Sequence, residues 1–311
     1  VADATAIGNA LIPIQKREGY PAGLAAAINA CSATVSVLIP PSIPLIIYGL
    51  VAEVSILQLF IAGILPAISL SLIMLAAVWI MAHIRGLPTS PLEGGWRTFC
   101  GNLIWALPAL FIPFFVVGSL RFGLATPTEV SVIAVAYAIA IKVLVYRDFT
   151  LSNAYRAVVA AGVMTGAVVL IIMATGMVQW IMSVENIPST VANWALGTFG
   201  EPWIIILVMI AIMLAIGSVV DLPAAILLLT PIFTQVAVYI DMSLVHLGVL
   251  MVLTLSIGLY TPPVGTTLYI STAIAETPIW QTLRELIPFY VVALLAVLLV
   301  AFVPAIALGL L

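Results

Sequence analysis

Two aspartates and two proline pairs carry the chemistry legible in this sequence. Asp3 heads an apolar arm, and a long apolar stretch that follows is interrupted at Pro40-Pro41. Asp221 heads a second apolar arm, and the stretch after it is interrupted at Pro262-Pro263. Two consecutive prolines remove two backbone donors and clash with the preceding turn, so a helix must unwind there. Inside lipid each freed carbonyl costs several kcal/mol unless something satisfies it. An alkali cation does so with carbonyl and hydroxyl oxygens, and Ser42, Thr261, Thr266 and Thr267 flank the breaks. The half-helix resuming after each break aims free N–H groups and a positive dipole end at the same place, which suits a substrate carboxylate. A carboxylate at mid-bilayer costs roughly 2.5–3.5 kcal/mol on insertion scales. No Lys or Arg lies within 12 residues of Asp3 or Asp221, which makes a cation an attractive partner for each. The competing reading of either residue is a protonated or helix-capping Asp at a hairpin tip.

Composition dictates the solvent in which these groups work. Of 311 residues 64% are hydrophobic and 7% charged, with a mean hydropathy of +1.32. Soluble domains carry about 25% charged residues, so an all-α protein immersed in a bilayer is expected. The formal net charge of −3 argues against a nucleic-acid partner. Cys31 and Cys100 have neither disulfide nor ligand spacing and read as small buried side chains.

Apolar runs at 60–85, 101–121, 128–146, 155–183 and 286–308 are long enough to cross. The stretches 21–53 and 243–275 are discontinuous helices, 203–240 is a re-entrant hairpin around GSVVDLP, and 1–15 is the second arm of a similar hairpin. Short amphipathic pieces lie at 55–63, 188–199 and 277–285, and Glu129 in ATPTE caps the helix starting near Thr128. Gly162, Gly166 and Gly176 suggest close packing along 155–183. Counting crossings from Lys16-Arg17 as cytoplasmic places Arg85, Arg97, Lys142, Arg147, Arg156 and Arg284 inside and only Arg121 outside, with a periplasmic C-terminus.

The two halves repeat. Asp3 and Asp221 are 218 residues apart, Pro40 and Pro262 are 222 apart, and Glu53 and Glu276 are 223 apart. The first broken helix runs in-to-out and the second out-to-in, so the repeats are inverted. Inverted repeats with broken helices point to a secondary transporter with its site near the midplane. By the same symmetry, three spans and half a hairpin are expected before Val1, and the chain opening on VADATAIG reads as N-terminally truncated.

At these residues the sequence resembles the large membrane subunit of tripartite ATP-independent periplasmic (TRAP) transporters. The resemblance is carried by ADATAIG at 2–8, LIPPSIPLIIYG at 38–49, LFIAGILP at 59–66, ATPTEVSVIAVAYA at 125–138, GSVVDLPA at 217–224 and YTPPVGTTLY at 260–269. It implies an elevator-type transporter in the bacterial inner membrane, without cofactor or enzymatic activity. A sodium-coupled transport domain would slide against a scaffold braced by a small membrane subunit. A periplasmic binding protein would deliver an organic acid: a C4-dicarboxylate, sialic acid or a similar carboxylate. The implied transport domain comprises 1–53 and 203–275. The scaffold and arm helices take 54–183 (with 155–183 shared), 184–202 and 276–311. Sodium would be held by Asp3, Pro40 and Ser42 at one site and by Gly217, Asp221, Thr261 and Gly265 at the other, with substrate beside Ser42, Asp221 and Thr266. The first hairpin's Gly/Ser-rich tip, which the family pattern places before Val1, would complete the first site. Competing readings are a stand-alone sodium/dicarboxylate or anion carrier of the wider superfamily and an intramembrane aspartyl protease using Asp3 and Asp221. No GxGD accompanies either Asp, and nothing resembles a channel's filter ring.

Overall fold

The structure, a computed structural model, describes residues 2–88 and 95–311, the side chains of Ala2, Arg97, Ala195 and Leu196 excepted. The described residues form helices and no strands. In order these are α1 (Ala2–Arg17), α2 (Ala22–Ser36), α3 (Ile43–Val51), α4 (Ile56–Arg85), α5 (Gly95–Arg121), α6 (Pro127–Leu144), α7 (Leu151–Val184), α8 (Ile187–Phe199), α9 (Pro202–Val219), α10 (Leu222–Tyr239), α11 (Leu244–Ile257) with a 3-10 turn at Gly258–Tyr260, α12 (Thr266–Ala275), α13 (Ile279–Phe302) and α14 (Pro304–Leu308). Seven of them, α4, α5 (from Thr98), α6, α7, α9, α10 and α13, are long and apolar enough to cross a membrane. The chain is thus a multi-pass membrane protein.

It divides into two compact units, Pro91–Ala174 and the remainder. In the smaller unit α5 packs on α6. There Thr126 and Glu129 form a reciprocal capping box, which starts α6 at Pro127. This is the cap expected of Glu129. Gly162 and Gly166 on α7, and Gly176 beyond this unit, have no heavy atom of the described residues within 4 Å of a Cβ position, so the close packing expected of them does not occur here.

The larger unit is built around α11, whose residues Val245 to Ile257 are all buried. A helix apolar on every side belongs in the interior. Both discontinuous helices form as the proline pairs dictate: α2 and α3 flank the first break, α11 and α12 the second, and each proline pair carries a cis peptide bond. After each broken helix an acidic residue in left-handed conformation turns the chain, Glu53 (φ 54) and Glu276 (φ 53), both exposed.

The amphipathic pieces expected at 55–63 and 277–285 are not separate. Each is the first part of a long helix, α4 of 30 residues and α13 of 24, which continues through Pro66 and Pro288 respectively. One missing donor does not end a helix whose neighbours hold it in place, and Pro66 is buried. The last span ends earlier than 308, because Pro304 supplies no N–H to the Val300 carbonyl. That carbonyl is bonded instead by Nε2 of the buried His246, at 2.7 Å. A parallel repair occurs in α10, where Pro231 leaves the Leu227 carbonyl free and Gln179 Nε2 donates to it at 2.7 Å.

The packing crosses between the halves. α12 lies on α1 and α2, whereas α3 lies on α10 and α11; α13 packs against α2, and α4 against α11. Within this exchange α4 and α13–α14 run antiparallel. Arg85 at the end of α4 pairs with Glu285 near the start of α13 at 2.6 Å, while Leu65 lies beside Gly309.

Candidate functional site

The second break is closed by hydrogen bonds that substitute for the missing helical ones. Thr261 N–H donates to Gly258 O at 3.0 Å, and Thr261 Oγ1 donates to Ile257 O at 2.7 Å. Pro263 cannot donate to the carbonyl of Leu259, four residues earlier; Thr267 Oγ1 does so at 2.8 Å. Tyr290 Oη donates to Tyr260 O at 2.7 Å.

The hairpin between α9 and α10 meets this break backbone to backbone. Val264 N–H donates to Ser218 O at 3.2 Å. A Cβ on Gly258 would collide with the Gly217 carbonyl, and one on Gly217 would sit 3.1 Å from Leu255 O. Glycine at both positions is the condition for this approach. Gly265 follows with φ 28, a left-handed value that a side chain resists, and is the N-cap of α12. The Gly217 and Ser218 carbonyls therefore face the Gly258–Gly265 segment, at the end where α12 presents its unpaired N–H groups.

At the first break Ser42 is buried and caps α3, its Oγ accepting from Leu45 N at 3.3 Å. The same hydroxyl donates to Val37 O, the carbonyl that Pro41 leaves without a partner. Hence the expectation that proline-freed carbonyls stand ready for a cation needs correction. One at each break is already bonded by a side-chain hydroxyl: Val37 O by Ser42, the residue after Pro41, and Leu259 O by Thr267, four residues after Pro263. The freed carbonyl of Ser36 receives no hydrogen bond among the described residues.

Of the residues singled out in sequence, the fold brings Gly217, Thr261 and Gly265 together. Asp221 stands on the same tip as the N-cap residue of α10, but its side chain makes no capping bond and is exposed. The capping alternative for this Asp therefore finds no bond to support it. Asp3, also exposed, lies in the first turn of α1. Because α1 and α2 are antiparallel about the turn at 18–21, Asp3 is at the end of the pair where α2 approaches the first break. No hydrogen bond joins Asp3 to Pro40 or Ser42 among the described residues. Thr266 Oγ1, at the start of α12, is buried without a partner.

Two further polar positions, Asn29 and Ser271, were not singled out by motif. Asn29 Nδ2 donates to Ala4 O at 2.9 Å and to Ser271 Oγ at 2.8 Å, joining α2 to both α1 and α12. The available signal was a lone amide inside AGLAAAINACSATVS, a helix otherwise made of apolar and small residues. Carboxylates do not cluster: among the described residues no three of His, Cys, Asp and Glu are grouped as metal ligands. A cation here would rely mainly on carbonyl and hydroxyl oxygens.

Comparison with known proteins agrees over the whole chain. The family model for the DctM component of tripartite ATP-independent periplasmic transporters matches residues 1–306. An uncharacterized protein of Sinorhizobium fredii, y4mL, is 45% identical over 308 residues, covering 99% of this chain and 74% of that protein. A C4-dicarboxylate TRAP transporter large permease protein of Pseudomonas aeruginosa is 32% identical, covering 99% of this chain and 72% of its own length. A sialic acid TRAP transporter permease protein of Haemophilus influenzae is 29% identical, covering 98% and 50% respectively.

Proposed function

The chain belongs to the DctM family of TRAP transporter large permeases, transport components rather than enzymes, and from that premise we propose that it imports an organic acid in symport with sodium. The observation that carries this reading is the approach of the Gly217–Asp221 tip to the Gly258–Gly265 break. Tip and break carbonyls supply oxygen ligands for sodium, and Asp221 supplies the charge. The first turn of α12, with the unpaired Thr266 hydroxyl, would receive the substrate carboxylate. Asp3 and the Pro40–Ser42 break would form the related first site.

Inverted repeats are supported by the exchanged packing of α3 and α12, by antiparallel α4 and α13, and by the matched left-handed Glu53 and Glu276. Under this symmetry the α9–α10 hairpin is re-entrant and moves with the broken helices as the elevator. The lysine and arginine distribution favours a periplasmic C-terminus in the inner membrane. A small membrane subunit would brace the scaffold, and a periplasmic binding protein would hand over the acid. The names of relatives suggest a C4-dicarboxylate, sialic acid or a similar carboxylate.

The test is uptake into proteoliposomes holding the complete permease, its small membrane partner and its binding protein, across a panel of organic acids. An inward sodium gradient should drive accumulation of at least one carboxylate only when the binding protein is present. Equal uptake with potassium replacing sodium would overturn the coupling. Uptake without binding protein would favour a stand-alone carrier.

A further inference from the structure

Asn29 is 4% exposed, and Ser271, its partner, is 0% exposed. Chemistry fixes the orientation of the amide. The Ala4 carbonyl can only accept, so the atom 2.9 Å from it is the NH2 group. Both N–H donors then serve different elements, α1 through Ala4 and α12 through Ser271, and Oδ1 is left buried with no partner. Apolar side chains at 29 and 271 would avoid that unpaired acceptor, since removing both partners of a buried bond is nearly neutral while orphaning one is not. A polar contact of this kind serves register, the best-attested use of a buried polar group.

The register concerned joins the two candidate cation regions. Ala4 follows Asp3 directly, and Ser271 lies on the half-helix whose first turn closes the second break. Neighbouring contacts point the same way. Thr267 Oγ1, which holds the Leu259 carbonyl, also lies 3.2 Å from the carbonyl of Ala30. A Cβ on Gly8 would sit 2.7 Å from Asn29 Nδ2 and 3.0 Å from Ile274 Cδ1. Lys16 Nζ donates to Ala275 O at 2.9 Å, at the negative end of α12. α12 is therefore docked in parallel along α1, and Asn29 is the amide side chain that hydrogen-bonds across that seam.

We propose that Asn29 is a positioning residue that couples the two cation regions. Through Ala4 O and Ser271 Oγ it holds the arm beginning at Asp3 in register with the half-helix beginning at Thr266. Cation binding at one region is thereby felt at the other. The proposal rests on the sodium-coupled reading above.

The experiment measures uptake against sodium concentration in the complete reconstituted transporter. Asn29→Leu should raise half-saturating sodium about fivefold or more and lower the apparent Hill coefficient, with KM for the acid at saturating sodium changed by no more than about twofold. Ser271→Ala should act in the same direction, and the double variant should add nothing to Asn29→Leu. Unchanged sodium curves in the single variants, or fully additive effects in the double, would overturn the coupling role. If Asn29→Leu fails to insert, Ser271→Ala and Ser271→Thr decide: the role requires that Thr, which keeps the hydroxyl, restores the sodium response lost in Ala. Wild-type uptake indifferent to sodium overturns instead the symport reading on which this rests.

Discussion

Gly217 of the hairpin and Gly258 of the second broken helix touch backbone to backbone, with no space for a Cβ on Gly258. Beside them the Val264 amide bonds the Ser218 carbonyl at 3.2 Å, so tip and break form one backbone surface.

Gly258→Ala should therefore separate them. The new methyl falls on backbone rather than on a flexible side chain, and overpacking of this kind costs about 1–3 kcal/mol. The expected result is a lower melting temperature of the detergent-purified transporter and loss of uptake. Wild-type melting and transport would show that the tip does not rest on the break in the working protein.

Asp221→Asn keeps the size of the side chain and removes its charge. Because the carboxylate makes no capping bond to α10, the substitution should leave insertion and thermal stability unchanged. Sodium-dependent uptake should be abolished. Retained sodium dependence in proteoliposomes would remove Asp221 from the second cation site.

At the breaks, hydroxyls replace the amides that the prolines lack. Ser42→Ala loses both the cap of α3 and the bond to Val37 O, and Thr267→Val loses the bond to Leu259 O. Each should destabilise by about 1–2 kcal/mol, the range of a lost cap or an orphaned acceptor. Ser42→Thr should recover most of the loss, read as melting temperature.

The pairing of Gln179 with the Leu227 carbonyl has a built-in control. Gln179→Leu should cost about 1–3 kcal/mol, because the carbonyl opposite Pro231 is orphaned. In a Pro231→Ala background the helix regains its own donor and the penalty should shrink toward zero. Equal penalties in both backgrounds would show that Gln179 acts through some other contact.

Much of the frame was legible in the chain because it depends on local chemistry. Composition demanded lipid, the proline pairs demanded helix breaks, and the spacing of Asp3, Asp221, Glu53 and Glu276 is the basis on which a repeat is proposed. Helix ends were less legible. The amphipathic pieces at 55–63 and 277–285 read as separate, yet they begin α4 and α13, which run on through Pro66 and Pro288, since whether a helix survives a proline depends on what packs around it. Gly162, Gly166 and Gly176 looked like packing positions, but a small residue only permits an approach that another element must make.

By itself, then, the sequence determined the solvent, the family and the places where helices must open, since all three follow from residue type and short-range backbone sterics. Only the tertiary structure decided which freed carbonyls are already bonded, that the halves exchange their broken helices, and that Asn29 meets a serine 242 residues away. Hydrogen-bond partners are chosen by proximity after packing, and no local pattern encodes a contact between elements so distant along the chain.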